Sequence, residues 1–316
     1  GNSGGPVLNS NGAIVGVAFQ ALEGAENVGH IVPPPIIQHF LEGTQEFGSD
    51  YKGFPALGIQ HQTLENSLIR EYLGMKQDQS GTLVVRVYYG SSADGVLKKG
   101  DVILNVDGYN IANNGSIELS SSIRSEYVVA LHKHMVGDDV PITVLRNKKV
   151  TKLTIKLREQ VELAPMTEYK SALTYAVYCG LLFQPLSLEL LRHYFGSATF
   201  LTLAPKDLLM LCTTGFPTAK RTEVVVVTRT FKDAINTGYE SLRFSEISKV
   251  NGEEVRSMKD FMNKITKPSK SGMLVLGTAA GGTIVLPSVN SKDFEIASKR
   301  IATMYKIQKD RSADLE

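Results

Sequence analysis

Ser3 lies in the run Gly1-Asn2-Ser3-Gly4-Gly5-Pro6, a hydroxyl set among glycines. A serine hydroxyl is a weak nucleophile until a positioned imidazole takes its proton, and the oxyanion that forms on an attacked carbonyl needs preorganised N–H donors. Glycines around the serine let the backbone turn tightly enough to aim the amides of Ser3 and Gly1 into one hole. The run therefore reads as acyl-transfer machinery, with Ser3 as nucleophile and the Gly1 backbone as an oxyanion donor. Two frames present a serine in this way. One is the G-x-S-x-G elbow, in which a helix starts immediately after the serine; the other is an all-β loop that enters a hairpin. Here Pro6-Val7-Leu8 is extended and apolar and runs into the turn Asn9-Ser10-Asn11-Gly12, so the all-β frame fits.

The elements that would position this loop fall into three sections. Residues 1–48 are rich in Gly, Pro and Asn, with strand-like runs at Pro6–Leu8, Ala13–Phe19 and Val28–Val32. Pro33-Pro34-Pro35 then opens a short predicted helix over Ile36–Leu41 that ends at Gly43. Gly48–Gly53 reads as a linker. In the second section, 51–160, strands are predicted at Leu57–Gln60, Thr82–Val87 and Val102–Val106, a helix over Leu64–Leu73, and a hairpin joining Ile142–Leu145 to the alternating Leu153, Ile155 and Leu157 through Asn147-Lys148. The third section, 165–316, echoes the second. Asp101–Gly108 and Ser245–Gly252 carry Ile, Val and Gly at matching places, and a predicted helix at Ser257–Ile265 and hairpin around Gly281-Gly282 follow, so two related α+β domains are expected.

Composition bounds the partners. Of 316 residues, 42% are hydrophobic and 21% charged, enough for sizeable cores. Net charge is +2, with no block of like charges to serve a nucleic-acid arm, so nucleic acid is not an expected partner. Cys179 and Cys212 are too few for a disulfide framework or a Cys-based zinc site. No cofactor or metal is expected. The longest uncharged stretch, Ser171–Leu188, is broken by Gln184 and Pro185 and falls short of the about 20 apolar residues of a membrane span. It reads as buried strand or helix.

These features resemble the Deg/HtrA family of serine proteases, in particular its plant and algal branch. Gly1–Gly12 is similar to the trypsin-type nucleophile loop and hairpin, with Asn2 where secreted trypsins carry Asp. Val15-Gly16-Val17-Ala18-Phe19-Gln20 resembles the strand beside the specificity pocket, and Asn27–Pro33 the strand that closes the barrel. Gly53–Ile59 resembles the start of the first PDZ domain, and Leu97-Lys98-Lys99-Gly100-Asp101-Val102-Ile103 the L-x-x-G-D-[VI]-I signature within it. Gly180–Leu186 and Ile235–Tyr239 are similar to the divergent second PDZ-like domain of the plant type.

The resemblance implies a mainly β, α+β architecture: the end of a trypsin-like β-barrel over residues 1–48, a PDZ domain over 51–160 and a divergent PDZ-like domain over 165–316. It implies an ATP-independent serine endopeptidase acting on unfolded or damaged proteins and assembling as a homo-oligomer. Substrate contacts are implied at Val17, Ala18 and Phe19, and capture of peptide C-termini at Leu57, Gly58 and Ile59, by a strand added at a sheet edge with its carboxylate held on backbone amides. A comparable loop is not evident in the second domain, and Gly100-Asp101 is expected to be a structural turn. The family's catalytic His and Asp precede the serine loop, so the chain as it stands is expected to lack a complete triad and to be inactive alone, and residues 1–48 to expose strand edges and half a core. His30 and His39 are expected to be structural. Relatives occupy chloroplast, mitochondrion or nucleus. A different class, a non-catalytic tandem PDZ scaffold with a vestigial hairpin, is the alternative, and an upstream His and Asp would distinguish the two.

Overall fold

The computed structural model describes residues 3–21, 29–166 and 173–316. The chain divides into two compact units, residues 1–161 and 162–316.

The first unit opens with a three-stranded antiparallel sheet of Pro6–Leu8, Ile14–Ala21 and Gly29–Val32. The Asn9 side chain accepts from the amides of Asn11 and Ala13 at 2.9 and 3.0 Å, which closes the turn between the first two strands. Leu8, Ile14, Phe19 and Ile31 remain exposed on this sheet.

A helix spans Pro34–Phe47, longer than its sequence suggests. Gly43 does not end it. A Cβ there would lie 2.3 Å from Tyr51 Cε2, so glycine serves to admit the Tyr51 ring against the helix. Tyr51 in turn bonds His39 Nδ1 at 2.9 Å, while His39 Nε2 lies 2.9 Å from the His134 carbonyl oxygen and the His39 ring stacks on Phe54 at 4.2 Å. The 48–53 segment expected to be a linker is therefore a packed corner, including a 3-10 turn at Gly48–Asp50. These contacts moor the helix to the body of the first unit.

That body is a mixed-order antiparallel sheet, running Lys149–Lys156, Asp139–Arg146, Val102–Val106, Thr82–Val87 and Ile59–Thr63, with Tyr109–Asn110 paired to Val102–Val106. One face buries Val84, Ile103, Val106, Ile142, Val144 and Ile155 under the 3-10 segment Tyr127–Lys133. The other buries Leu64, Val102 and Leu145 under a helix. That helix covers only Ser67–Tyr72, because Asn66 caps it by accepting from the Leu68 amide at 2.8 Å. The predicted strand at Leu57–Gln60 is broken: Pro55–Ala56 pairs with Arg158–Glu159, and the sheet strand begins only at Ile59. Gly100-Asp101 forms a turn in which the buried Asp101 carboxylate accepts two bonds from Arg146, at 2.8 and 2.7 Å, and one from the Lys98 amide at 2.8 Å.

The second unit repeats this frame. Its sheet runs Ala176–Tyr178, Leu181–Pro185, Val225–Thr230, Glu246–Val250, Met273–Thr278 and Thr283–Pro287. The two octets matched in sequence occupy the same place in each sheet, each strand ending in a turn with φ of 50° at Asp107 or Asn251 and 86° at the following glycine. Helix Met258–Ile265 lies where the first unit has Tyr127–Lys133 and buries Met258, Phe261, Met262 and Ile265, the i, i+3, i+4, i+7 stripe of a core-facing helix. Its opposite sheet face is covered by Leu188–Phe195, Phe200–Leu203 and Lys206–Thr214. Helix Lys292–Tyr305, capped by Ser291, follows the last strand. Among the described residues no helix is long and apolar enough to cross a membrane.

Candidate functional site

The serine loop is built on the first hairpin. The Gly4 amide donates to the Ala18 carbonyl at 2.8 Å and the Ala18 amide to the Gly5 carbonyl at 2.9 Å, which lays the loop along strand Ile14–Ala21. Ser3 is exposed, and its Oγ donates to the Phe19 carbonyl at 3.0 Å. The structure thus brings together Ser3, Ala18 and Phe19, with Phe19 exposed and Val17 paired between Pro6 and Val32. Gly1, assigned the oxyanion amide, lies outside the described residues. No histidine hydrogen-bonds Ser3 among the described residues: His30 is exposed on strand Gly29–Val32, and His39 is buried, with both ring nitrogens held by Tyr51 and the His134 carbonyl.

Leu57, Gly58 and Ile59 form a second, separate site, created by the turn that follows strand Thr82–Val87. Three consecutive carbonyls are taken up there. Ser92 Oγ donates to Ala56 O at 2.5 Å, the Ala93 amide to Leu57 O at 3.0 Å and the Tyr88 amide to Gly58 O at 2.9 Å. Ser92 Oγ is itself fixed as acceptor of the Arg158 amide at 2.7 Å. In a trans peptide C=O and N–H point in opposite directions. Clamping these three carbonyls toward residues 88–93 therefore turns the amides of Leu57, Gly58 and Ile59 to the opposite side, at the head of the sheet edge. Among the described residues no hydrogen bond uses the amides of Leu57 or Gly58. Aligned backbone N–H groups of this kind make an anion-binding concavity.

Gly58 is required by this geometry twice. Its φ is +70°, and a Cβ would lie 2.2 Å from Ser91 Cβ and 2.8 Å from Ser91 Oγ. Ser91 Oγ is a buried hydroxyl without a hydrogen-bond partner among the described residues, packed directly under the loop.

From the loop runs Ile59–Thr63, the outermost strand of its sheet, with Gln60 to Thr63 exposed. Facing it across the same side is Tyr127–Lys133, with the His61 and Tyr127 rings edge to face at 5.4 Å. Burial raises the Tyr127 pKa well above the ordinary phenol value, so this ring is neutral at neutral pH. The wall is also the surface on which helix Pro34–Phe47 is moored, because Phe54 lies against both His39 and His132. Burial, then the neighbouring His39, lowers the His132 pKa. Neither His61 nor Tyr127 stood out in the sequence, since their pairing depends on strand and wall meeting across about 65 residues of chain.

The remaining chemically distinctive side chains lie apart from both sites. Cys179 is buried and its thiol is pushed up to about 12 by burial, then by Asp233, so it is an inert core group. No cluster of His, Cys, Asp or Glu fit to hold a metal occurs among the described residues.

Comparison with known proteins agrees with this layout. Two PDZ-domain family profiles match, one over residues 55–157 and one over 164–314. The chain is 32% identical over 317 residues to Protease Do-like 2, chloroplastic, of Arabidopsis thaliana, an alignment covering 100% of this chain and 50% of that protein. It is 29% identical over 293 residues to Protease Do-like 4, mitochondrial, of the same plant, covering 93% and 53%. The chain thus spans about half the length of the curated relatives it matches. Among solved structures, the HtrA-type protease AlgW with a tripeptide aligns over 50% of this chain and 49% of its own at 26% identity, with a TM-score of 0.36. With two PDZ domains in tandem and relatedness to plant Do-like proteases along its whole length, the chain belongs to the Deg/HtrA family.

Proposed function

We propose that the chain is the PDZ-bearing C-terminal half of an ATP-independent serine endopeptidase that acts on unfolded or damaged proteins, and that its first PDZ domain captures peptide C-termini. In this reading residues 1–48 belong to the trypsin-like protease domain, 51–160 are the first PDZ domain and 165–316 the second. The observation that carries peptide capture is the clamp on the Ala56, Leu57 and Gly58 carbonyls, which leaves the next three amides on one side at the start of an unpaired strand edge. A peptide lying along Ile59–Thr63 would add a strand to that edge, and its terminal carboxylate would meet the amides of Leu57, Gly58 and Ile59.

Catalysis in the whole protein is assigned to Ser3, with Gly1 and Ser3 amides as oxyanion donors and Val17, Ala18 and Phe19 along the substrate. A base must then reach Ser3 Oγ and replace its bond to the Phe19 carbonyl. Assembly as a homo-oligomer follows the family. An organellar location follows the chloroplastic and mitochondrial designations of the two plant relatives.

The test is calorimetric titration of the 316-residue chain with peptides bearing free C-termini, and with the same peptides amidated. Binding at about micromolar affinity, lost on amidation, is the expected result, because few side chains are buried and the peptide must be ordered. Equal binding of amidated peptides would refute carboxylate capture at this loop.

A further inference from the structure

In the first PDZ domain Ala56 and Gly58 are two residues apart; in the second, the corresponding Ala176 and Gly180 are four apart. The correspondence is fixed by hydrogen bonding. Ala56 pairs with Arg158 near the end of its domain and Ala176 with Arg311 near the end of its own. Gly58 O accepts from Tyr88 at 2.9 Å and Gly180 O from Phe231 at 2.7 Å, and the strand that follows each glycine has its irregularity after its second residue, at Gln60/His61 and Leu182/Phe183.

The two extra residues change what the loop can do. Cys179 and Gly180 have φ of 47° and 82°, the two consecutive positive values of a type I′ turn, and they join Ala176–Tyr178 to Leu181–Pro185 as a tight hairpin. Its register is Tyr178 with Leu181, Val177 with Leu182 and Ala176 with Phe183. The edge that is open on Ile59–Thr63 is thus covered by the chain's own strand, and the next residue in the alternation to face that edge, Pro185 two beyond Phe183, has no N–H to offer. The hairpin is held from both sides. Asn236, fully buried, donates from Nδ2 to Cys179 O and Phe231 O, each at 2.8 Å, and the Val177 amide donates to Asp310 O at 2.6 Å.

The opposite edge of the same sheet is closed by a side chain. Val285, at the middle of strand Thr283–Pro287, is exposed, yet its amide donates to Tyr239 Oη at 2.9 Å and its carbonyl accepts from the same hydroxyl at 3.1 Å. One tyrosine satisfies both edge groups that a partner strand would need there.

We infer that the second PDZ domain is closed to strand addition by its own chain: Ala176–Tyr178 occupies the edge that would accept a peptide, and Tyr239 staples the other. Each chain then takes one C-terminal peptide at most, at the first domain. Closure of the second domain does not depend on whether the first captures peptide.

Hydrogen exchange read by mass spectrometry on the 316-residue chain, with and without a mixture of free C-terminal peptides, tests this. Amides of 181–183 are expected to be slow before any peptide is added and unchanged afterward, while peptide-dependent slowing, where it occurs, is confined to 57–63. Fast exchange at 181–183 in the free chain, or slowing there on adding peptide, would overturn the inference. Absence of slowing at 57–63 would count against capture by the first domain and leave closure of the second standing. In Tyr239→Phe the Val285 amide should exchange at least about tenfold faster. An unchanged rate would remove the staple.

Discussion

Gly58→Ala isolates the peptide-capture reading to one methyl group. The added Cβ would sit 2.2 Å from Ser91 Cβ, where ordinary contact begins at 3.4 Å, so loop and turn must separate by about 1 Å. Holding an L-residue at φ +70° adds roughly 1–2 kcal/mol of strain that drives the loop the same way. A shift of about 1 Å takes a 2.9 Å hydrogen bond outside bonding distance. Each amide–carboxylate bond lost in this way is worth about 1.5–3 kcal/mol, roughly a tenfold to hundredfold fall in affinity. Titration of the full chain with a binding peptide should show that fall, and circular dichroism should show the fold retained. Adding Ser91→Gly to Gly58→Ala removes the atoms in the way and should restore much of the affinity, a coupling that general destabilisation would not produce. An amidated peptide should fail to distinguish the variants. If Gly58→Ala binds within a factor of about two of the unaltered chain, the loop does not hold the carboxylate.

Arg146→Met should destabilise the first domain by about 3–5 kcal/mol, because it leaves the Asp101 carboxylate, 2% exposed, without its bidentate partner; urea unfolding followed at the amides of 102–106 measures it, and a loss below about 1 kcal/mol would contradict it. In the second domain the Arg300 guanidinium holds the Asp233 carboxyl below the usual range, with burial acting the other way. That stabilisation is complete above about pH 4 and is lost as pH falls through the lower folded value, so melting temperature should drop more steeply in acid for the unaltered chain than for Asp233→Asn. Parallel curves would show that the pair contributes nothing. The 316-residue chain alone should not hydrolyse casein, since Ser3 Oγ is engaged with the Phe19 carbonyl and no described histidine reaches it; cleavage abolished by Ser3→Ala would overturn this.

Elements whose signal is local were legible in the sequence. Thr82–Val87 and Val102–Val106 form as their apolar runs suggest, and the turns at Asp107-Gly108, Asn147-Lys148 and Gly281-Gly282 join strands with positive φ at Asp107, Gly108, Asn147 and Gly281, residue types that tolerate or favour it, and at Lys148. Misreadings came where a residue type has two uses. Gly43 carries the signal of a helix end, yet the helix continues and the missing side chain makes room for Tyr51, a contact from outside the helix. The helix after Leu64 starts later than the apolar spacing suggests, since Leu64 is buried before Asn66 caps the first turn. Helix Lys292–Tyr305 did carry a signal, Ser291 followed by Phe294, Ala297 and Ile301 on one face, that motif reading passes over.

The site shows the same limit more sharply. Leu57, Gly58 and Ile59 stand out only by resemblance, because nothing in their side chains binds an anion; what orients their amides is the occupation of three carbonyls by Ser92, Ala93 and Tyr88, and behind Ser92 by Arg158. Those residues lie about 30 to 100 positions away, and Ser92 reads in sequence as an ordinary turn serine. The second domain keeps the corresponding clamp on Gly180, yet two added residues supply a strand of the chain itself to the edge that follows. An insertion of two carries no legible chemistry, since the tyrosine and cysteine it brings, Tyr178 and Cys179, are buried core groups that form no site. Its effect is to convert an open edge into an internal hairpin, and the difference between an accepting and a closed domain therefore lies in loop length rather than in any residue that a motif would name.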